Sequence, residues 1–259
     1  MNKVTIAFDI ETYKDPIESV DYMSQRPVGI SVIGAVLAFE GHPDAYPFVW
    51  WGTHPVSWAV HPRVEPKIPD ALIPLGVTSF LSWLGGWMSY DATVVGWNSA
   101  GFDFQILLEE TQNLELSMLV SSLCKLHIDI MYHFACCMGY RLGLDAAAKG
   151  MGLAGKQELE GGAHGEAAPG MWKKGVEERW KVIKYLVRDC VTTLETYQAI
   201  VANHGLLNWT SKKGRPMSAR LGEILTVAEA SKLPMPDMSW GTPFDRNYSV
   251  GWMADTIKE

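Results

Sequence analysis

The sequence predicts an α/β domain built on a mixed sheet, an antiparallel meander followed by parallel strands, with helices flanking it. Two observations predict it. Three strand-like runs precede any convincing helical pattern, and strand and helix patterns then alternate to about residue 203. Val4 to Phe8 is an apolar run of strand length that leads into Asp9-Ile10-Glu11-Thr12. Val28 to Phe39 is rich in Val, Ile and Gly, and Tyr46 to Trp51 is short and aromatic, so both read as strands. The Pro-rich stretch 54–74 reads as a loop or insertion. Thr78 to Met88 has helical spacing, Thr93 to Trp97 is a further strand, and Phe104 to Val120 reads as one helix. His127 to Ile130 is a short strand, Leu142 to Met151 a helix, and Gly152 to Gly170 a Gly-rich mobile loop. The longest helical pattern, Gly175 to Asn203, repeats apolar residues from Val182 to Ile200. Residues 1–203 are thus expected to form the domain and 204–259 an extension packed on it.

Composition bounds the function. The 259 residues carry a net charge of −7, which argues against a broadly basic surface that coats nucleic acid. A nuclease remains compatible, because bound cations neutralise substrate phosphates locally. No stretch approaches the roughly 20 apolar residues a membrane helix needs, and Asp9 and Glu11 interrupt the first apolar run where a signal sequence would continue. A cytoplasmic protein with no membrane partner is the expectation. Cys124, Cys136, Cys137 and Cys190 are too few for a disulfide scaffold. Three of them lie near His127 and His133, but without paired CxxC spacing structural thiols are expected rather than a zinc site.

Three acidic elements carry the chemistry. Asp9 and Glu11 stand two apart on a strand and therefore share a face, where two like charges repel unless a cation or proton lies between them. The alternative is a solvated strand end. Asp103 follows a strand and the turn Asn98-Ser99-Ala100-Gly101 and sits at a helix start, where it is either a cap or a ligand. Tyr185 and Asp189 lie one helical turn apart on a face that includes Val182 and Leu186, so Asp189 points inward and needs a partner. That partner is a metal, the phenol, Arg188 or Lys184.

D-x-E on the first strand, N-x3-F-D at a strand-to-helix turn and Y-x3-D on a late helix, in that order, resemble the three motifs of the DEDD exonucleases, tyrosine branch. Phe8-Asp9-Ile10-Glu11-Thr12 is close to the first motif of the proofreading exonuclease domains of family B DNA polymerases and their stand-alone relatives. His127-Ile128-Asp129-Ile130, Leu144 to Ala148 and Gly155-Lys156 resemble the segment that links the second and third motifs in that group. The resemblance covers about residues 1–203 and implies a ribonuclease-H-like fold. It implies 3′–5′ exonuclease activity with two divalent cations, Mg²⁺ or Mn²⁺, held by Asp9, Glu11, Asp103 and Asp189, with Asp9 bridging both. Tyr185 would hold the attacking water. The backbone around Ile10 and Thr12 would contact the terminal nucleotide, with Asn98 and Phe102 beside it. The implied partner is the 3′ end of single-stranded DNA or RNA, with DNA favoured by the first motif. The alternatives are an exoribonuclease and a non-catalytic nucleic-acid or protein interaction module on the same fold.

Beyond His204 the pattern weakens. Lys212, Lys213, Arg215 and Arg220 cluster there between Trp209 and Trp240. Either the cluster guides substrate, or the Trp residues pin a tail whose charges are merely solvated.

Overall fold

A computed structural model describes residues 3–51, 56–57, 74–111, 113–156, 159, 165–239, 241–242 and 244–255. Four strands form an antiparallel meander: β1 (Val4–Thr12), β2 (Ile30–Phe39), β3 (Ala45–Trp50) and the two-residue β4 (Val56–Ser57). On the other side of β1, β5 (Thr93–Gly96) and β6 (Ile128–Asp129) add in parallel, giving the order β4-β3-β2-β1-β5-β6. The sheet is therefore mixed, with both faces covered. Alternation along β1 sorts its side chains: Ile6, Phe8 and Ile10 enter one core, whereas Ala7 enters the other.

The first core is closed by α1 (Pro74–Ser89), α2 (Asp103–Glu109) and α3 (Leu114–Leu126) through residues such as Phe80, Phe104 and Leu123. The second lies under α5 (Leu144–Gly150), α6 (Ala168–Trp172) and the long α7 (Val176–Ala202). Between them α4 (Ile130–Met138) serves both, Tyr132 facing the first and Phe134 the second. Among the described residues no helix is long and apolar enough to cross a membrane.

Two features of this packing position the candidate site. The paired partners of β1 and β5 end at Ala7 opposite Val95, so residues 8–12 run on past them towards the turn that opens α2. Carboxyl ends of parallel strands, beside a helix start, are where α/β sheets leave an open crevice. The second feature is Gly34, which pairs with Asp9 across β1 and β2. A Cβ there would lie 2.8 Å from Leu186 Cγ and 3.3 Å from Cys190 Sγ. Its absence lets α7 lie directly on the strands and brings Tyr185 and Asp189 beside Asp9. Gly34→Ala is expected to overpack this contact and lower stability by about 1–3 kcal/mol, read by urea unfolding. Leu186→Ala introduced beside it should recover part of that loss. Additive effects of the two changes would refute the contact.

The structure corrects the expected single helix 104–120. It breaks into α2 and α3, because Asn113 leaves the helical region and its side chain accepts from Leu116 N, capping a new helix. The expected mobile loop 152–170 is also corrected at its end, where a 3-10 turn at Gly165–Ala167 runs into α6 with Pro169 in its first turn. Residues 157–158 and 160–164 of that stretch lie outside the described residues, as do 58–73 of the Pro-rich stretch and Trp240. After α7 the chain forms a hairpin, β7 (Leu206–Thr210) and β8 (Pro216–Arg220), and then the short α8 (Val227–Ala230). Leu207 and Trp209 are buried in the second core and Val227 and Ala230 in the first, so this segment supplies core side chains to both faces.

Candidate active site

Carboxylates from β1, the α2 start and mid-α7 converge at one cleft of about 370 Å³, whose lining includes Asp9, Glu11, Thr12, Phe102, Tyr185 and Asp189. Asp103 lies behind the lining, buried, and its Oδ1 accepts from Ile10 N at 3.1 Å. It does not cap α2: Phe102 is the N-cap residue and no side-chain cap bond forms there. The local sequence explains this. Asn98 takes a left-handed conformation (φ 63°), and the turn it opens directs the next residues back toward β1. Asp129 at the end of β6 pins that turn, accepting from Asn98 N and Ala100 N at 2.9 Å each and also from Tyr132 N.

The electrostatics are those of like charges forced together in a poorly solvated place. Burial first, and then the charge of Asp189, pushes the Asp9 carboxyl up to about 6. Burial and the neighbouring carboxylates push Glu11 and Asp103 well above the usual carboxylate range. Among the described residues, Lys156 answers them. Lys156 Nζ lies 2.5 Å from Asp189 Oδ2 and 5.3 Å from the centre of the Tyr185 ring. Burial alone would lower the Lys156 pKa, but Asp189, Asp9 and the phenol outweigh it, so the ammonium is held more firmly than usual. Burial and Asp189 raise the Tyr185 pKa, keeping the phenol protonated.

The chain matches no protein-family model, and no curated protein is significantly similar to it.

Of the residues predicted from sequence, Asp9, Glu11, Tyr185, Asp189, Ile10, Thr12 and Phe102 line the cleft, and Asp103 stands immediately behind them. The Ile10 N–H is already engaged by Asp9 and Asp103, so it organises carboxylates before it could meet a nucleotide. Asn98 is in the turn outside the cleft lining, with its Oδ1 buried and unpartnered. Neither Arg188 nor Lys184 is the close partner of Asp189; Lys156 is. Lys156 was not singled out from sequence as a catalytic candidate; it lies in a Gly-rich stretch six residues beyond the end of α5. Nor was Tyr22, whose ring stacks on Phe102 with centroids 6.2 Å apart and whose hydroxyl meets Thr12 Oγ1 at 2.6 Å. His127 lies elsewhere, fully buried between Ser99 Oγ and the Cys124 carbonyl, so both its ring nitrogens are engaged.

The donor set fits hard divalent cations. It is all oxygen and largely buried, and Asp189 Oδ1 is buried without a hydrogen-bond partner. Among the described residues, however, no three ligands are set closely enough to hold a metal as they stand, and Lys156 already pairs with Asp189.

These shifts predict a pH dependence. A carboxyl whose pKa is raised by folding favours the protonated native state, so that stability is present at acid pH and lost as pH rises through about 6 for Asp9 and higher for Glu11 and Asp103. In chelator, Asp103→Asn should therefore melt above the parent, by a margin that widens from about pH 5 to about pH 8. Added Mn²⁺ should stabilise the parent more at the higher pH. A margin that stays constant with pH would show that the carboxylates do not repel.

Proposed function

We propose that this protein is a metal-dependent 3′–5′ exonuclease, releasing nucleoside monophosphates from a single-stranded end, DNA in preference to RNA, on a ribonuclease-H-like fold. The observation that carries the reading is the convergence of four carboxylates from three elements distant in sequence, three lining one cleft and Asp103 buried behind it, joined by a phenol and an ammonium. The mixed sheet, with its meander continued by parallel strands, is compatible with that fold.

Asp9, Glu11, Asp103 and Asp189 would hold two cations, Mg²⁺ or Mn²⁺. Once bound, such ions supply an acidified water and neutralise charge developing on the phosphoryl oxygens. The protein's own groups do the rest. Tyr185, kept protonated by burial and Asp189, orients water by hydrogen bonding and is not the base. Lys156 keeps Asp189 ionised and brings a positive charge to the cleft, where phosphate charge would gather. Thr12 and the Phe102 ring wall offer the terminal nucleotide a hydroxyl and a stacking face. Tyr185→Phe should leave Mn²⁺-induced thermal stabilisation unchanged and lower turnover by about 10²-fold, as loss of one positioned water contact implies.

The test is hydrolysis of end-labelled DNA and RNA oligomers of matched sequence, with either end blocked. Mononucleotide release from a free 3′ end that stops in chelator is expected. Cleavage of a circular single strand, or undiminished cleavage in chelator, would overturn the exonuclease reading. Faster loss of RNA would make it an exoribonuclease. A second reading, a non-catalytic interaction module, draws on the Lys156–Asp189 pair, which already satisfies one carboxylate from within. It predicts no hydrolysis and no thermal response to Mn²⁺.

A further inference from the structure

The β7–β8 hairpin carries a charge unlike the rest of the molecule. Between Glu195 and Glu223 there is no acidic residue, whereas Lys212, Lys213, Arg215 and Arg220 all fall in that interval. With the whole chain at −7, everything outside these four cations sums to −11. The four side chains are exposed, and no acidic partner of Lys212, Lys213 or Arg215 occurs among the described residues.

The turn that presents them is built. Ser211 N donates to Arg215 O and Gly214 N to Ser211 O, each at 2.8 Å, Ser211 Oγ accepts from Arg215 N, and Gly214 takes the left-handed φ of 74° the turn needs. Its root is equally firm. Trp209 packs edge-on against Phe134, and Gly150 at the end of α5 has no Cβ, which would otherwise overlap the Asn208 carbonyl. Asn208 N also meets Met151 Sδ at 3.3 Å. The same short helix holds the Lys156 backbone from its other end, because Asp145 Oδ1 accepts from Lys156 N. The hairpin root and the cleft ammonium thus hang on one seven-residue helix, a span of about 10 Å.

Charged residues also guard free sheet edges against pairing, and β8 is an edge strand. Guarding needs charge along the strand. Here three of the four cations sit in the turn beyond the ladder, and only Arg220 is on β8.

The geometry points to the β7–β8 hairpin as a clamp for the phosphate backbone of the polynucleotide, holding the strand upstream of the end that lies in the cleft. Which end is held rests on the exonuclease reading; the contact with phosphates does not. The test compares the parent with the triple variant Lys212→Gln, Lys213→Gln, Arg215→Gln, whose positions are exposed and bear no core contact. Binding of a fluorescein-labelled oligothymidylate of roughly 25 nucleotides is measured in chelator across a salt series, beside hydrolysis of a thymidine dinucleotide. The expected result is roughly tenfold weaker binding at low salt, and a salt slope shallower by about 2, from about 0.7 per lost phosphate contact. Dinucleotide hydrolysis should be unchanged. Equal affinity and slope in parent and variant would overturn the clamp. So would a parent that binds no oligonucleotide, or a variant that only self-associates on size exclusion, which would make the cations edge guards. Binding that weakens as expected in a protein that hydrolyses neither substrate would sink the exonuclease reading and leave the clamp standing.

Discussion

Asp103→Ala is expected to abolish hydrolysis while the protein stays folded. The residue is buried, ties to β1 through Ile10 N and repels Asp9. On the proposed two-cation chemistry, removing it would take away a carboxylate that positions cation charge against the phosphoryl oxygens, an effect of several kcal/mol and so about 10³-fold or more in turnover. Asp189→Ala should lose as much, for the same reason. The two differ in stability. Asp103→Ala relieves repulsion in the metal-free protein, whereas Asp189→Ala strands the Lys156 ammonium. Single-turnover hydrolysis measured beside thermal melting in chelator separates them. An Asp103→Ala protein that melts lower than the parent yet keeps its turnover would show that Asp103 is structural.

Lys156→Met should have the second large effect, and in an unusual combination. Asp189 is almost fully buried and Lys156 Nζ is its close ionic partner, so removing the ammonium leaves an unpaired buried carboxylate. The cost at neutral pH is about 2–3 kcal/mol, below the 3–5 usual for buried pairs because Lys156 itself is one-third exposed. Without the lysine the Asp189 pKa rises further, so the lost stability should return as pH falls and Asp189 takes up a proton. Mn²⁺ should also restore it, by supplying the missing positive charge. On the exonuclease reading, turnover should fall by about 10²-fold even at saturating metal, since the cleft loses the Lys156 ammonium. Denaturant unfolding with and without Mn²⁺, set beside hydrolysis rates, makes the comparison. A variant equal to the parent in stability without metal would show that the pair contributes nothing to the fold.

Much of the candidate site is legible in the sequence, because its members obey local rules. Asp9 and Glu11 share a face by the two-residue period of a strand, and Tyr185 and Asp189 share one by the turn of a helix. The turn before Asp103 announces itself through Asn98 and Gly101. What stayed hidden is whatever depends on packing between elements. Nothing local decides whether Asp103 caps α2; its side chain turns instead to Ile10 N on a strand 93 positions away. Lys156 sits among glycines with no periodicity, and only the seating of α5 brings its side chain to Asp189. The break at Asn113 was missed because one capping side chain outweighed an apolar pattern that continued through it.

By itself, the sequence determined the meander of β1 to β3, the strand β5, the long α7, the mixed sheet and the three acidic elements, since strand and helix periods are properties of neighbouring residues. Tertiary structure alone decided that these elements meet. It did so through Gly34, which admits α7 against the strands, and through Asp129, which holds the turn ahead of Asp103. The physical reason is range: periodicity acts over a few residues, whereas close approach and buried charge pairing act between surfaces that only the folded chain brings together.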